Sequence, residues 1–131
     1  MNYFKELKNY KMLLVDDDDF IRDSLSIVFK NNGCSIRTAE TAEEGLRVLN
    51  LERFDVIISD LRLPGIDGLE FFRLVNIYQS GALGMLITAY RDKGIASKAA
   101  AMGIHEYIEK PFSVELLVES LARLVKRQTP Q

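Results

Sequence analysis

Five side chains able to act together follow short apolar runs in this sequence. Asp16 and Asp17 follow KMLLV (11–15), Asp60 follows FDVIIS (54–59), Thr88 follows LGMLI (83–87), and Lys110 comes shortly after EYI (106–108). Each run reads as a buried strand. Polar residues at the C-terminal ends of neighbouring parallel strands gather at one sheet edge, so these groups are expected to face a common point. A single Asp in a strand-to-helix loop is ordinary, because it caps helices. Three carboxylates brought together are not, since they repel, raise one another's pKa and destabilise the fold unless a cation joins them. Oxygen-only ligands point to Mg²⁺, with Mn²⁺ as a substitute. A carboxylate beside such a cation, faced by a hydroxyl and an ammonium, can accept a phosphoryl group. The cation and Lys110 neutralise the phosphoryl oxygens while Asp60 attacks. Covalent aspartyl phosphate is the chemistry these residue types imply.

The elements that must position these residues alternate regularly. A weaker strand, CSIRT (34–38), brings the strands to five. Between them Ile21, Leu25, Val28 and Phe29 keep helical spacing up to Gly33, and Thr41-Ala42-Glu43-Glu44 fits a capping box ahead of Leu46 and Leu49. A third helix follows Gly68 with Leu69, Phe72 and Val75, and a fourth covers the Ala-rich stretch near 92–102. The last opens at Ser113 and carries Val114, Leu117, Val118, Leu121 and Val125 on one face. Strand-helix alternation predicts an α/β fold with a parallel sheet covered on both faces, because each parallel crossover must leave the sheet and return.

The chain is 131 residues long, 47% apolar and 27% charged, which suits one domain with a real core. The expected organisation is a leader at 1–10, the folded domain at 11–127 and a tail at 128–131. The spacing of Tyr3, Phe4, Leu7 and Tyr10 fits either a short amphipathic helix or a disordered leader. A net charge of −2 argues against direct nucleic-acid binding. No apolar run approaches a membrane span, and MNYFKELKNY lacks the apolar block of a signal peptide, so a cytoplasmic protein with no membrane contact is expected. The lone Cys34 reads as packing.

The four segments VDDD (15–18), SDLRLPGIDGLEF (59–71), LITAY (86–90) and YIEKPF (107–112) together resemble the receiver domain of the two-component response regulator family, and the likeness runs from about Lys11 to Lys126. The resemblance implies a flavodoxin-like (βα)5 three-layer sandwich with its five strands in the order 2-1-3-4-5. It implies a phosphoacceptor signalling domain, not an enzyme in the ordinary sense. Asp60 would be phosphorylated, Asp17 would bind Mg²⁺ directly, Asp16 would act mostly through water, and the Arg62 backbone carbonyl would complete the metal site. Thr88 and Lys110 would contact the phosphoryl oxygens. Thr88 and Tyr107 would form the switch, and Lys110-Pro111 would be cis. Arg62 and Tyr90 would flank the path of hydrolytic water and tune the phosphoryl lifetime. The implied partners are a histidine kinase or histidine phosphotransfer protein, an output domain or downstream protein, and a second copy in a phosphorylation-dependent homodimer.

Two competing readings follow from the same residues. Asp16-x-Asp18 after an apolar strand resembles the nucleophile motif of haloacid-dehalogenase-type phosphatases, but their late acidic pair is missing. A receiver that docks proteins without phosphorylation is the other, and the complete site argues against it. Asp18 and Asp19 read as helix caps, and Pro64, Gly65, Asp67 and Gly68 as turn chemistry after Asp60. His105 stands just before a strand, a poor place for a phosphohistidine. Leu63 replaces the Met often found before Pro64, a volume-conserving change. GIHEY (103–107) departs from the Gly-Ala and two acids of subfamilies with winged-helix output.

Overall fold

A computed structural model describes residues 2–89 and 93–128, so Tyr90 and most of the expected 128–131 tail lie outside the described residues. Five parallel strands form one sheet in the order β2-β1-β3-β4-β5: β1 (Lys11–Val15), β2 (Ser35–Ala39), β3 (Val56–Asp60), β4 (Leu83–Thr88) and β5 (Glu106–Glu109). Every strand but the last is followed by a crossover helix: α2 (Asp19–Asn31), α3 (Ala42–Leu49), α4 (Gly68–Tyr78) and α5 (Lys93–Ala101). The last described element is α6 (Val114–Gln128), and the first is one helical turn, α1 (Phe4–Leu7).

Alternation along the buried strands divides the core in two. Met12, Leu14, Ile58, Met85 and Ile87 face Leu25 and Phe29 of α2 and Leu117, Leu121 and Leu124 of α6. Leu13, Val15, Ile57 and Leu86 face Val48 and Leu49 of α3, Phe71, Phe72 and Val75 of α4, and Ala99 of α5. The result is the three-layer sandwich. Leu7 of α1 is fully buried, and the Phe4 ring meets Phe29 edge-on at 5.5 Å. Cys34 is buried beneath this turn, its thiol donates to the Phe4 carbonyl at 3.5 Å, and burial pushes its pKa up, as a packing role requires.

The helix starts carry polar caps, three of them predicted from the sequence and one, Asp67, read there as turn chemistry. Asp18 caps α2 by accepting from the amides of Phe20 and Ile21, at 2.9 and 3.4 Å. Thr41 caps α3 through the Glu44 amide at 3.1 Å, while Glu44 reaches the Glu40 amide instead of closing the box on Thr41. Asp67 caps α4 through the Glu70 amide at 2.9 Å, and Ser113 accepts from the Leu116 amide at 3.0 Å ahead of α6. Each cap satisfies an amide that the first helical turn leaves without a partner.

Candidate functional site

The strand order changes direction at β1, which pairs with β2 on one side and β3 on the other, and the site lies at the C-terminal ends of β1 and β3. Asp16, directly after β1, is fully buried. Its amide donates to the Ala39 carbonyl at 3.1 Å, and its Oδ1 accepts from the Asp18 amide at 2.9 Å. Its Oδ2 is buried and accepts no hydrogen bond. Asp60, the last residue of β3, is 6% exposed. Ligand oxygens of Asp16, Asp17 and Asp60 all lie within 4.8 Å of one another.

Lys110 enters from the far side of the sheet. Its ammonium donates to Asp60 Oδ2 at 2.8 Å and stands 3.5 Å from Asp16 Oδ2. Its amide donates to the Thr88 carbonyl at 2.7 Å, and the following peptide to Pro111 is cis, as the resemblance implies. Thr88, at the end of β4, is buried. The Arg62 amide faces Asp60 Oδ1 at 3.4 Å, and the Arg62 residue is exposed. Asp16, Asp17, Asp60, Thr88 and Lys110 are therefore gathered at the C-terminal edge of the sheet, with Arg62 at the rim. Tyr107 stands on β5 with 49% of its surface exposed, while Tyr90 lies outside the described residues.

The charges do not balance. Burial raises the pKa of Asp16, helped by the neighbouring Asp60 charge and opposed by the Asp18 amide and by Lys110. Burial works to lower Lys110, but its hydrogen bond to Asp60 and the charges of both carboxylates win and hold it above the ordinary lysine range. The ammonium stays charged, and among the described residues one ammonium faces three carboxylates. The orphaned Asp16 Oδ2 and the all-oxygen donor set fit a hard divalent cation.

Two residues support the site in ways the sequence does not indicate. Gly68, read there as turn chemistry, has an ordinary φ, whereas the turn glycine of this loop is Gly65, at +77°. A Cβ on Gly68 would strike the Asp60 carbonyl and approach the Leu61 Cα to 2.8 Å, so the start of α4 presses on the backbone of Asp60 itself. Arg22 reaches back from α2 to the Asp16 carbonyl at 2.8 Å. Its only sequence signature is the three-residue spacing from Asp19, with which it pairs.

The remaining candidates have structural roles. Asp18 is an N-cap, and Asp19 opens α2. His105 Nδ1 accepts from the Gly84 amide at 3.0 Å, which ties β5 to β4 at the end of the sheet opposite the site.

Residues 12–122 match the family model for the response regulator receiver domain. The transcriptional regulatory protein GlrR of Escherichia coli (strain K12) is 34% identical over 119 residues, which is 91% of this chain and 27% of GlrR. The chain spans from about a quarter to somewhat over half of the length of the curated relatives it matches. A receiver domain protein from Methanospirillum hungatei JF-1 superposes with a TM-score of 0.85 at 28% identity, over 91% of this chain and 95% of that one. The BeF3-activated receiver domain of DrrB, a Thermotoga maritima regulator, superposes at 0.79 with 28% identity, over 90% and 98%. Among the described residues no helix is long and apolar enough to cross a membrane.

Proposed function

The chain belongs to the response regulator receiver family, and from that premise we propose that Asp60 accepts a phosphoryl group from a partner's phosphohistidine and that the modified domain then engages a different partner. One observation carries this reading: the buried Asp16 Oδ2 has no hydrogen bond, beside an acceptor carboxylate already held by a lysine ammonium. Asp16, Asp17, Asp60 and the Arg62 carbonyl would hold Mg²⁺, with Mn²⁺ able to replace it. Bound there, the cation supplies positive charge to the phosphoryl oxygens as an anion attacks an anion.

The chain's own residues do the rest. An Asp60 carboxylate oxygen attacks phosphorus and forms the O–P bond, while the donor's N–P bond breaks and its electron pair returns to the imidazole. Lys110 and the Thr88 hydroxyl bind phosphoryl oxygens. Beside the site an apolar groove lined by Phe20, Ile21, Leu25, Pro111 and Phe112 runs up to Lys110, and Phe20 is 78% exposed. This groove suits the apolar face of the helix that delivers the histidine. Signal output uses the surface of α5, β5 and α6, with Thr88 and Tyr107 as the moving parts. The folded unit is assigned to 11–127, with the leader 1–10 joined to its core through Phe4 and Leu7. Arg62 and Tyr90 are assigned to exclude water from the acyl phosphate, which predicts slow dephosphorylation that Arg62→Asn and Tyr90→Glu accelerate.

Incubation with acetyl phosphate and Mg²⁺, read by intact mass, tests the reading. One phosphoryl group is expected on the wild type and none on Asp60→Asn. Unchanged labelling of Asp60→Asn, or of the wild type in chelator, refutes it. Labelling that depends on Asp16 and not Asp60 would favour the phosphatase-like alternative.

A further inference from the structure

Arg22 is an arginine with only 15% of its side chain exposed, on a helix that otherwise turns its charges to solvent. Its Nη1 donates to the Asp16 carbonyl at 2.8 Å, and its Nη2 pairs with Asp19. The Asp16 amide is held by Ala39 and its Oδ1 by the Asp18 amide. Three anchors therefore fix this residue, and among the described residues its Oδ2 is the buried side-chain oxygen left without a hydrogen bond. The peptide that Arg22 holds joins Asp16 to Asp17, so its orientation sets where both acids point.

We infer that Arg22 is a positioning residue for the divalent-cation site: it clamps the Asp16–Asp17 peptide so that the two acids stay directed at Asp60 although their charges oppose it. The inference rests on reading this cluster as a cation site. Without the clamp, carboxylate repulsion is relieved by rotating the 16–17 peptide, and an incoming cation must restore the geometry at the expense of its binding energy. The guanidinium suits this task because its planar fork satisfies a carbonyl and a carboxylate at once, which a lysine ammonium cannot do in the same geometry.

The sign of the effect separates positioning from charge. If Arg22 acted only as a nearby positive charge, its removal would make the site more negative and tighten cation binding. A clamp predicts the reverse. Mn²⁺ binding to the full chain, measured by electron paramagnetic resonance and by calorimetry, is expected to weaken about tenfold in Arg22→Met, at the low end of the range for partners that orient metal ligands. Arg22→Lys should fall between that variant and the wild type. At saturating Mg²⁺ the rate of labelling by acetyl phosphate should return to near the wild-type value, which a misfolded protein would not show. Equal or tighter Mn²⁺ binding in Arg22→Met overturns the inference. Should Arg22→Met fail to fold, Asp19→Asn and Arg22→Lys decide: wild-type affinity in both overturns it, and weaker binding in Arg22→Lys sustains it. A wild type that binds no Mn²⁺ refutes the underlying cation site instead, a result no Arg22 variant can mimic.

Discussion

Lys110 Nζ lies 2.8 Å from Asp60 Oδ2 but 3.5 Å from Asp16 Oδ2, so this ammonium is committed first to the acceptor and leaves the more deeply buried acid with the weaker contact. Without a cation the domain therefore holds in its core a carboxylate compensated only through an ammonium shared with Asp60, at a cost in stability. Among the described residues, the site lacks the positive charge that its carboxylates call for.

The first prediction follows from Asp16. Its folded pKa is raised above the ordinary value, so its charged form disfavours folding at neutral pH, and this cost disappears as pH falls through the folded pKa toward 3.8. Asp16→Asn should raise cation-free stability at pH 7 by roughly 1 kcal/mol or more. Mg²⁺ should raise the Tm of the wild type and leave the variant nearly unmoved. Thermal denaturation in chelator and in excess Mg²⁺ checks both. A variant less stable than the wild type in chelator would show that the buried acid is compensated after all.

A second prediction concerns Gly68, where α4 meets the backbone of Asp60. The Gly68 amide donates to the Leu61 carbonyl at 2.8 Å, which closes the loop, and an added methyl has no space. Gly68→Ala should cost about 1–3 kcal/mol, as overpacking does. It should also slow labelling by acetyl phosphate, because the strain falls on the acceptor's own carbonyl. Gly65→Ala should cost stability through its positive φ, with a smaller effect on labelling. If the two variants lose labelling equally, the contact is not specific to the acceptor.

The strand order came from the family resemblance alone. The strand-helix alternation, most of the helix caps and the gathering of Asp16, Asp17, Asp60, Thr88 and Lys110 were legible in the sequence, because apolar runs, cap residues and strand ends are local patterns. Contacts set by distant segments were not. Gln79 shows why: its Oε1 accepts from the Phe54 amide at 2.9 Å, and its Nε2 donates to the carbonyls of Leu49 and Glu52 at 3.0 and 2.9 Å. A glutamine after a helix usually faces solvent, and only the packing of α4 beside α3 turns this one into a buried staple. Arg22 was hidden for the same reason, since its partner is a backbone carbonyl and a carbonyl has no letter in a sequence.

His105 gives a pH dependence independent of the site. Its Nδ1 accepts from the Gly84 amide and must be unprotonated to do so. Burial, with the Arg127 charge second, lowers its pKa below 6.5. The unfolded chain thus takes up the proton first, and stability present above about 6.5 is lost as pH falls from there toward the folded pKa. The residue is largely exposed, so the effect is small. Denaturant midpoints at pH 7.5 and 5.5 should fall further for the wild type than for His105→Gln. Equal falls would assign the dependence to the carboxylates.

The last prediction concerns the switch. Thr88 is tied to the strand that carries Tyr107, because its carbonyl accepts the Lys110 amide at 2.7 Å and it pairs in register with Glu109. Tyr107 itself stands opposite Leu86 with half its surface open. A phosphoryl group on Asp60 offers the Thr88 hydroxyl a charged acceptor, and turning toward it vacates space on the β5 side, into which the Tyr107 ring can move. One hydrogen bond to a charged group contributes roughly 1.5–3 kcal/mol, a population change of about 10- to 150-fold. Nearly complete switching, from 1:99 to 99:1, takes about 5.5 kcal/mol. The expected shift is therefore partial, with both ring positions populated. Beryllofluoride with Mg²⁺, standing in for the phosphoryl group, should move the Tyr107 ring signals in an NMR spectrum selectively labelled at tyrosine. Thr88→Ala should reduce that response while Tyr10 stays unmoved. Tyr107 signals that do not respond in the wild type would exclude this route and place the output surface elsewhere.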